Sequence, residues 1–440
     1  MAPVTGGRSS ISKFILSALL AAAAPPAWAH GFGQRFDLPL PLWLWLAGAA
    51  ASIVATFIVA ALFMRPRSAP APQRKRWVVP GWLAGPARLI VALVFVLALA
   101  AGFLGNQDPY RNLLPAVVWV LWWVGFAFVC ALMADLWAPL NPLDTLYRWA
   151  GAPSLRRPYP KRLDVWPAVA LFFCFAWAEL VWPERDVPAR LACVIVLYAG
   201  LTWAGMFIYG RKEWLERGEA FSLAFGVLSH FAPFGRRTEG PVSFAFMVFV
   251  LLMLATVTYD GFLETPLMQT IATAAHDSPV LFSLSELGLD VSQLVETVLL
   301  ALFPLVFVLV FLLTCGRAAS SFVMTLVPIA VAYHLAHYFS LLLTAGQFII
   351  PLASDPFGFG WDLFGTAGYK VNFAVVSPYV FWYGAVALVI VGHVLAVVLA
   401  HRQAQRLFPG RVAASQLPLL ALMVAYTTLS LWILAQPVVG

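Results

Sequence analysis

Charge is what this chain has least of. Only 11% of its 440 residues are Asp, Glu, Lys or Arg, 62% are hydrophobic, and the mean hydropathy is +0.85. Soluble domains carry about 25% charged and 45–50% apolar residues, so the composition excludes a soluble enzyme and puts the chain in a bilayer. Closely spaced cysteines are also missing: Cys130, Cys174, Cys193 and Cys315 stand far apart, each inside or at the end of an apolar run. That removes zinc-finger and dithiol redox motifs, whose ligands sit a few residues apart, and leaves the four as packing residues. No glycine-rich nucleotide or flavin motif is present. The net charge of +7 does not signal nucleic acid, because the arginines that cause it sort to one side of the apolar runs.

The first 29 residues have the make-up of a secretory signal. Arg8 and Lys13 precede the apolar run Phe14 to Ala24, and Ala27-Trp28-Ala29 is a small-x-small cleavage site. Cleavage makes His30 the new N-terminus and leaves residues 30–440 as one integral membrane domain; an uncleaved anchor is the alternative. With about 20 residues per crossing, apolar runs predict spans at 41–64, 87–105, 113–137, 165–182, 190–210, 244–262, 295–315, 320–346, 374–400 and 415–437. The expected fold is therefore all-α: a polytopic bundle of about ten transmembrane helices.

Basic residues then give the orientation. Twenty lie in every second connection, among them Arg65, Arg74, Lys75, Arg76, Arg148, Arg156, Arg157, Lys161, Arg162, Arg211, Lys212, Arg317 and Arg402. Five lie in the others: Arg35, Arg111, Arg185, Arg190 and Lys370. The positive-inside rule makes the first set cytoplasmic and both mature termini periplasmic, in a multi-pass protein of the bacterial inner membrane. Ten spans divide into five and five, the arithmetic of an inverted repeat, although the halves share no evident similarity. Of the cytoplasmic connections, 138–164 holds Asn141-Pro142, which caps and starts a short helix through Tyr147. Connection 211–243 holds an amphipathic stretch from Gly218 to His230 that is expected to lie on the inner leaflet.

The outward connections carry the chemistry. Segment 259–294 has no Lys or Arg, yet holds Asp260, Glu264, His276, Asp277, Glu286 and Asp290, a surface that attracts cations. In the run Ala332 to Tyr338, His334 and His337 stand three residues apart on one face of an apolar helix. Imidazoles at that depth must face the bundle interior and find partners. Three readings stay open: helix packing, a proton relay, or ligation of a divalent metal such as zinc or copper. Further ligands would be Asp260, followed by Gly261, and a freed His30, which offers an α-amine and an imidazole. His276 and Asp277 would stand behind them as an orienting pair. His393 and His401 fall near the cytoplasmic end of their span and read as structural.

The mature start His30-Gly31-Phe32-Gly33-Gln34-Arg35-Phe36, the turn Asn141-Pro142-Leu143-Asp144, the element Tyr259-Asp260-Gly261-Phe262, the helix Ala336-His337-Tyr338 ending at Gly346-Gln347, and Ser354-Asp355-Pro356 with Gly360-Trp361-Asp362 together resemble the bacterial integral-membrane fenitrothion hydrolases. The resemblance implies hydrolysis of an organophosphate triester at its phosphorus-to-aryl bond, on a small lipophilic substrate drawn from membrane lipid. It brings no catalytic residues with it. Tyr338 and Trp361 are among the aromatic residues available to hold an aryl group. The His-x-His element of soluble two-metal phosphotriesterases is missing. Two other classes fit the same outward histidines: a secondary transporter, and a copper-handling or electron-transfer membrane protein.

Overall fold

A computed structural model describes residues 40–65, 80–235 and 240–436. The expected signal segment, His30 and most of the basic linker 65–86 lie outside the described residues. Every regular element among those described is helical. This follows from the medium, since a backbone passing through hydrocarbon must satisfy its own N–H and C=O groups.

Eight stretches are long and apolar enough to cross a membrane. They begin with α1 (Leu42–Phe63), α2 (Gly81–Leu104) and α3 (Leu113–Leu132). Next come a short helix α4 (Pro142–Trp149) and a 15-residue apolar helix α5 (Trp166–Leu180), followed by α6 (Pro188–Tyr209), the buried α7 (Ala220–Leu228) and α8 (Phe244–Leu263). The stretch Val291–Ser354 contains two of the expected spans, α9 (Val291–Cys315) and α10 (Val327–Thr344). They are separated by short turns that begin at Gly316, where φ is +52°, a conformation that favours glycine. The bundle closes with α11 (Pro378–Leu407) and α12 (Val412–Leu434).

Helix starts obey local chemistry. The Ser243 and Ser377 hydroxyls accept from the amides of Phe246 and Val380, and the Asp290 carboxylate accepts from Gln293. Pro188 and Pro378 occupy first helical positions, where their missing N–H costs nothing. The expected cap at Asn141 is present: its Oδ1 accepts from the amides of Leu143 at 2.9 Å and Asp144 at 3.3 Å.

Burial separates the helices by layer. In α8, 78% of the membrane window is buried, against 22% in α1 and in α2. Thus α8 is an interior helix, with α5, α9 and α10 packed beside it, while α1 and α2 present Leu62, Phe63, Ile90 and Leu93 outward. One expectation is corrected here. The stretch after Gly218 does not lie on a surface, because Phe221, Leu223, Ala224, Phe225, Val227, Leu228 and His230 are all buried. The reason is aromatic packing: Phe221 meets Trp122, Trp123 and Phe175 edge-on, and Phe225 meets Phe126 edge-on and Trp137 at a tilt, which draws α7 into the bundle. The four cysteines are free; Cys130 is buried as expected, whereas Cys174 and Cys193 are exposed.

The end of the bundle expected to face the cytoplasm is clamped by Asp144. Its buried carboxylate accepts from Arg211 Nη1 at 2.8 Å and 3.1 Å and pairs with Arg148 Nη2 at 3.2 Å. The Arg211 side chain is 44% exposed, so solvent screens part of the interaction. Asp144→Ala is expected to cost about 1–2 kcal/mol and to lower the melting temperature in detergent by a few degrees. An unchanged midpoint would show that the clamp contributes nothing.

Candidate functional site

Asp260 lies in the last turn of α8, at the expected outer end of the bundle. Its Oδ2 accepts from the Tyr338 hydroxyl at 2.6 Å and is 2.9 Å from His337 Nε2. His337 and Tyr338 are neighbours in α10, so one carboxylate oxygen ties two consecutive side chains of the facing helix. An ionised carboxylate only accepts, so Nε2 carries the proton in this pair. A neutral imidazole then leaves Nδ1 as its basic nitrogen.

Gly261 makes the approach possible. A Cβ there would stand 2.6 Å from Ile433 Cγ2, 3.0 Å from the Tyr333 hydroxyl and 3.4 Å from His337 Cε1. Any side chain would therefore have to displace the Ile433 methyl and crowd the Tyr333 hydroxyl. The pair remains within reach of solvent, with side chains 17% exposed for His337 and 23% for Asp260.

His334 lies one turn deeper and is almost fully enclosed. Its ring centroid is 4.7 Å from that of Tyr338, 5.7 Å from Trp123 and 6.2 Å from Phe128. Its Nε2 is buried without a hydrogen-bond partner, as is the hydroxyl of Tyr333. Unpaired buried polar atoms are costly and mark places where a ligand, an ion or water completes the bonding.

Further charged groups act on the pair electrostatically. Glu179 at the end of α5 and Glu264 just beyond α8 both interact electrostatically with Asp260. Arg185, in the connection from α5 to α6, is the counter-charge that reaches Glu179, Asp260, Glu264 and Glu296, and its Nη1 donates to the Glu179 carbonyl at 2.7 Å. Loss of solvation, and after it the charge of Asp260, holds the Glu264 carboxyl above the usual carboxylate range.

The expected site residues divide accordingly. Asp260, His337 and Tyr338 are brought into direct contact, and His334 lies against Tyr338. His276 ends the helix Pro266–His276 and shares a 3.0 Å hydrogen bond with Ser292, while Asp277 follows it on an exposed turn. Trp361 packs against Phe357 and Phe359 in the segment after Ser354. His393 and His401 are buried and bonded to the Val389 carbonyl and Gln416. His30 lies outside the described residues. No protein-family model, curated protein or solved structure matches the chain.

Among the described residues, no group of three His, Cys, Asp or Glu side chains is arranged to hold a metal ion. Asp260, His334 and His337 are thus not a complete ligand set by themselves. Glu179 and Arg185 are the site members that sequence reasoning passed over. The available signal was Glu179 itself, the lone charged residue between Trp166 and Leu180, since an ionisable group inside a span marks a functional position by default.

Proposed function

We propose that this chain is a multi-pass membrane hydrolase of neutral organophosphate triesters, with His337 as general base and Asp260 as the residue that orients it. The mature protein begins at His30, crosses the bacterial inner membrane ten times and opens its site to the periplasm. The observation that carries the reading is the 2.9 Å contact between His337 Nε2, in the expected outer half of α10, and Asp260 Oδ2, in the last turn of α8.

With Nε2 bound to Asp260, Nδ1 takes a proton from water. The resulting hydroxide bonds to phosphorus, the phosphorus-to-aryl-oxygen bond breaks, and the aryloxide leaves with the electron pair. A nitrophenolate departs readily near neutral pH, so the leaving oxygen needs no acid. Asp260 stabilises the imidazolium that forms, as the carboxylate does in a hydrolase triad. The resemblance to the fenitrothion hydrolases supports the substrate class, and the partly exposed pair supplies the base that such a reaction needs.

A zinc or copper ion would need a third ligand, such as His30, beside the pair, and would then supply an activated water. A secondary transporter is the second reading. It is favoured by the buried, unpartnered polar atoms on Tyr333, His334 and His393, which would accept a moving proton or ion.

The test is purified protein in lipid nanodiscs given a neutral nitrophenyl dialkyl phosphotriester. Hydrolysis is expected to appear as nitrophenolate in one-to-one yield with dialkyl phosphate. Uptake of a solute into sealed vesicles with no nitrophenolate released would replace the hydrolase with the transporter.

A further inference from the structure

A large apolar cavity lies away from the polar pair. It is a chamber of about 490 Å³ enclosed by α2, α3, α5 and α6, and its size is that of a pocket for a drug-sized molecule. Close helix contact seals it at one end, where a Cβ on Gly102 would stand 2.5 Å from Leu114 Cδ2 and 3.0 Å from Ala192 Cβ. At the other end Arg88 Nε donates to the Pro139 carbonyl at 2.8 Å. Between these seals the lips are apolar residues that project from the bundle, Val94, Leu197 and Leu201. In a bilayer this opening meets acyl chains, not water.

The walls are aromatic and most of their polar ends are engaged elsewhere, the buried Trp122 indole N–H being without a hydrogen-bond partner. The Trp119 indole N–H donates to the Arg185 carbonyl, and the Trp137 indole and Tyr198 hydroxyl both bond to Glu219. What the chamber offers a guest is ring faces and edges: Trp122 meets Phe221 at 4.5 Å and Phe175 at 6.2 Å, each close to perpendicular. Perpendicular rings suit a flat aromatic guest better than a flexible chain.

Two rings, Trp123 and His334, link the chamber wall to the polar site. Phe175, on its wall, is 4.7 Å from Trp123, and Trp123 is 5.7 Å from His334. Trp119, Trp122 and Trp123 all stand on Ala116–Phe126, an 11-residue stretch wound as a π-helix. Such winding is rare, occurs mostly as single turns and is frequent at functional sites.

We infer that this chamber binds the aryl body of an uncharged, membrane-dissolved ester and admits it sideways from the bilayer. This rests on the hydrolase reading given above and names the route and the recognition for the same site. The chamber reads apolar aromatic bulk, and the pair beyond Trp123 performs the chemistry.

The probe is 4-nitrobiphenyl, a nitroaryl quencher with no bond to hydrolyse, titrated into nanodiscs while tryptophan fluorescence is followed. Quenching is expected to saturate in the wild type. Its midpoint is expected to rise about tenfold or more in Ala98→Phe, which fills the chamber, and in Val94→Phe at the lip, which serves if the first variant does not fold. Trp122→Phe is expected to remove much of the saturable signal. Quenching that rises linearly and equally in all variants would show simple partitioning and overturn the inference. So would saturable quenching by brominated acyl chains that 4-nitrobiphenyl fails to displace, which would make the chamber a lipid site. Triester hydrolysis is measured on the same samples. Wild-type turnover unaffected in chamber variants that have lost probe binding would overturn the route. Saturable binding in a wild type that hydrolyses nothing would leave the aryl chamber standing and remove the hydrolase.

Discussion

Replacing His337 with Ala is expected to lower triester hydrolysis by about 10²–10⁴-fold, the usual contribution of a positioned general base. The loss should fall on kcat, because the imidazole acts in the transition state and contributes little to holding an apolar substrate. Asp260→Asn keeps the shape of the partner but presents an amide that no longer fixes the proton on Nε2, and is expected to cost about 10²-fold or more. Tyr338→Phe removes the 2.6 Å hydrogen bond to the same carboxylate oxygen and leaves the imidazole in place, so its effect should be the smallest of the three. Elution as a single folded species, compared with the wild type by size exclusion, separates lost chemistry from lost structure. A folded His337→Ala protein with wild-type turnover would remove the base from the mechanism.

The second large effect is structural. Glu219 is fully enclosed and its carboxylate gathers five donors: the amides of Phe221 at 3.0 Å and Ser222 at 2.7 Å, the Ser222 hydroxyl at 2.5 Å, the Trp137 indole at 3.3 Å, and the Tyr198 hydroxyl. It caps α7 and ties that helix to α6 and to the aromatic cluster around Trp122. Glu219→Leu fills similar space but strands those donors in an interior that offers no water. Leaving a buried neutral donor unsatisfied costs about 1–3 kcal/mol, and several are stranded at once, enough to deplete the folded protein. Thermal challenge followed by size-exclusion chromatography should show an early loss of the monodisperse peak, with Glu219→Gln intermediate because one acceptor oxygen survives. Equal heat resistance in Glu219→Leu and the wild type would show that the network adds no stability.

Glu219 also illustrates where the sequence stopped speaking. Apolar runs located the long helices closely, and the rule that polar groups at membrane depth face inward singled out Asp260, His334 and His337 from their surroundings. The identity of the partners was a different matter. Periodicity assigns a buried face only when the opposite face is polar, and in helices that are apolar on every side it cannot tell the outward Leu93 from the enclosed Ala98. For the same reason the segment after Gly218 suggested a surface helix, although its aromatic residues find more contact inside. Glu179 escaped notice because its meaning depends on Asp260 and Arg185, which are brought to it only by the packing of α5 against α8. The pairing of Asp260 with His337 spans 77 positions and is set by the missing side chain at Gly261, a contribution no local motif announces.

The shortness of α5 has its own effect on the surrounding lipid. Fifteen residues at 1.5 Å each span about 22 Å, well under the hydrocarbon thickness of about 30 Å. Thinning of the adjacent leaflet is one way such mismatch is relieved, and it would draw the headgroup region inward beside Glu179 and Arg185. On the proposed hydrolase reading, such a dimple would bring water to the imidazole while an oily ester stays in the bilayer.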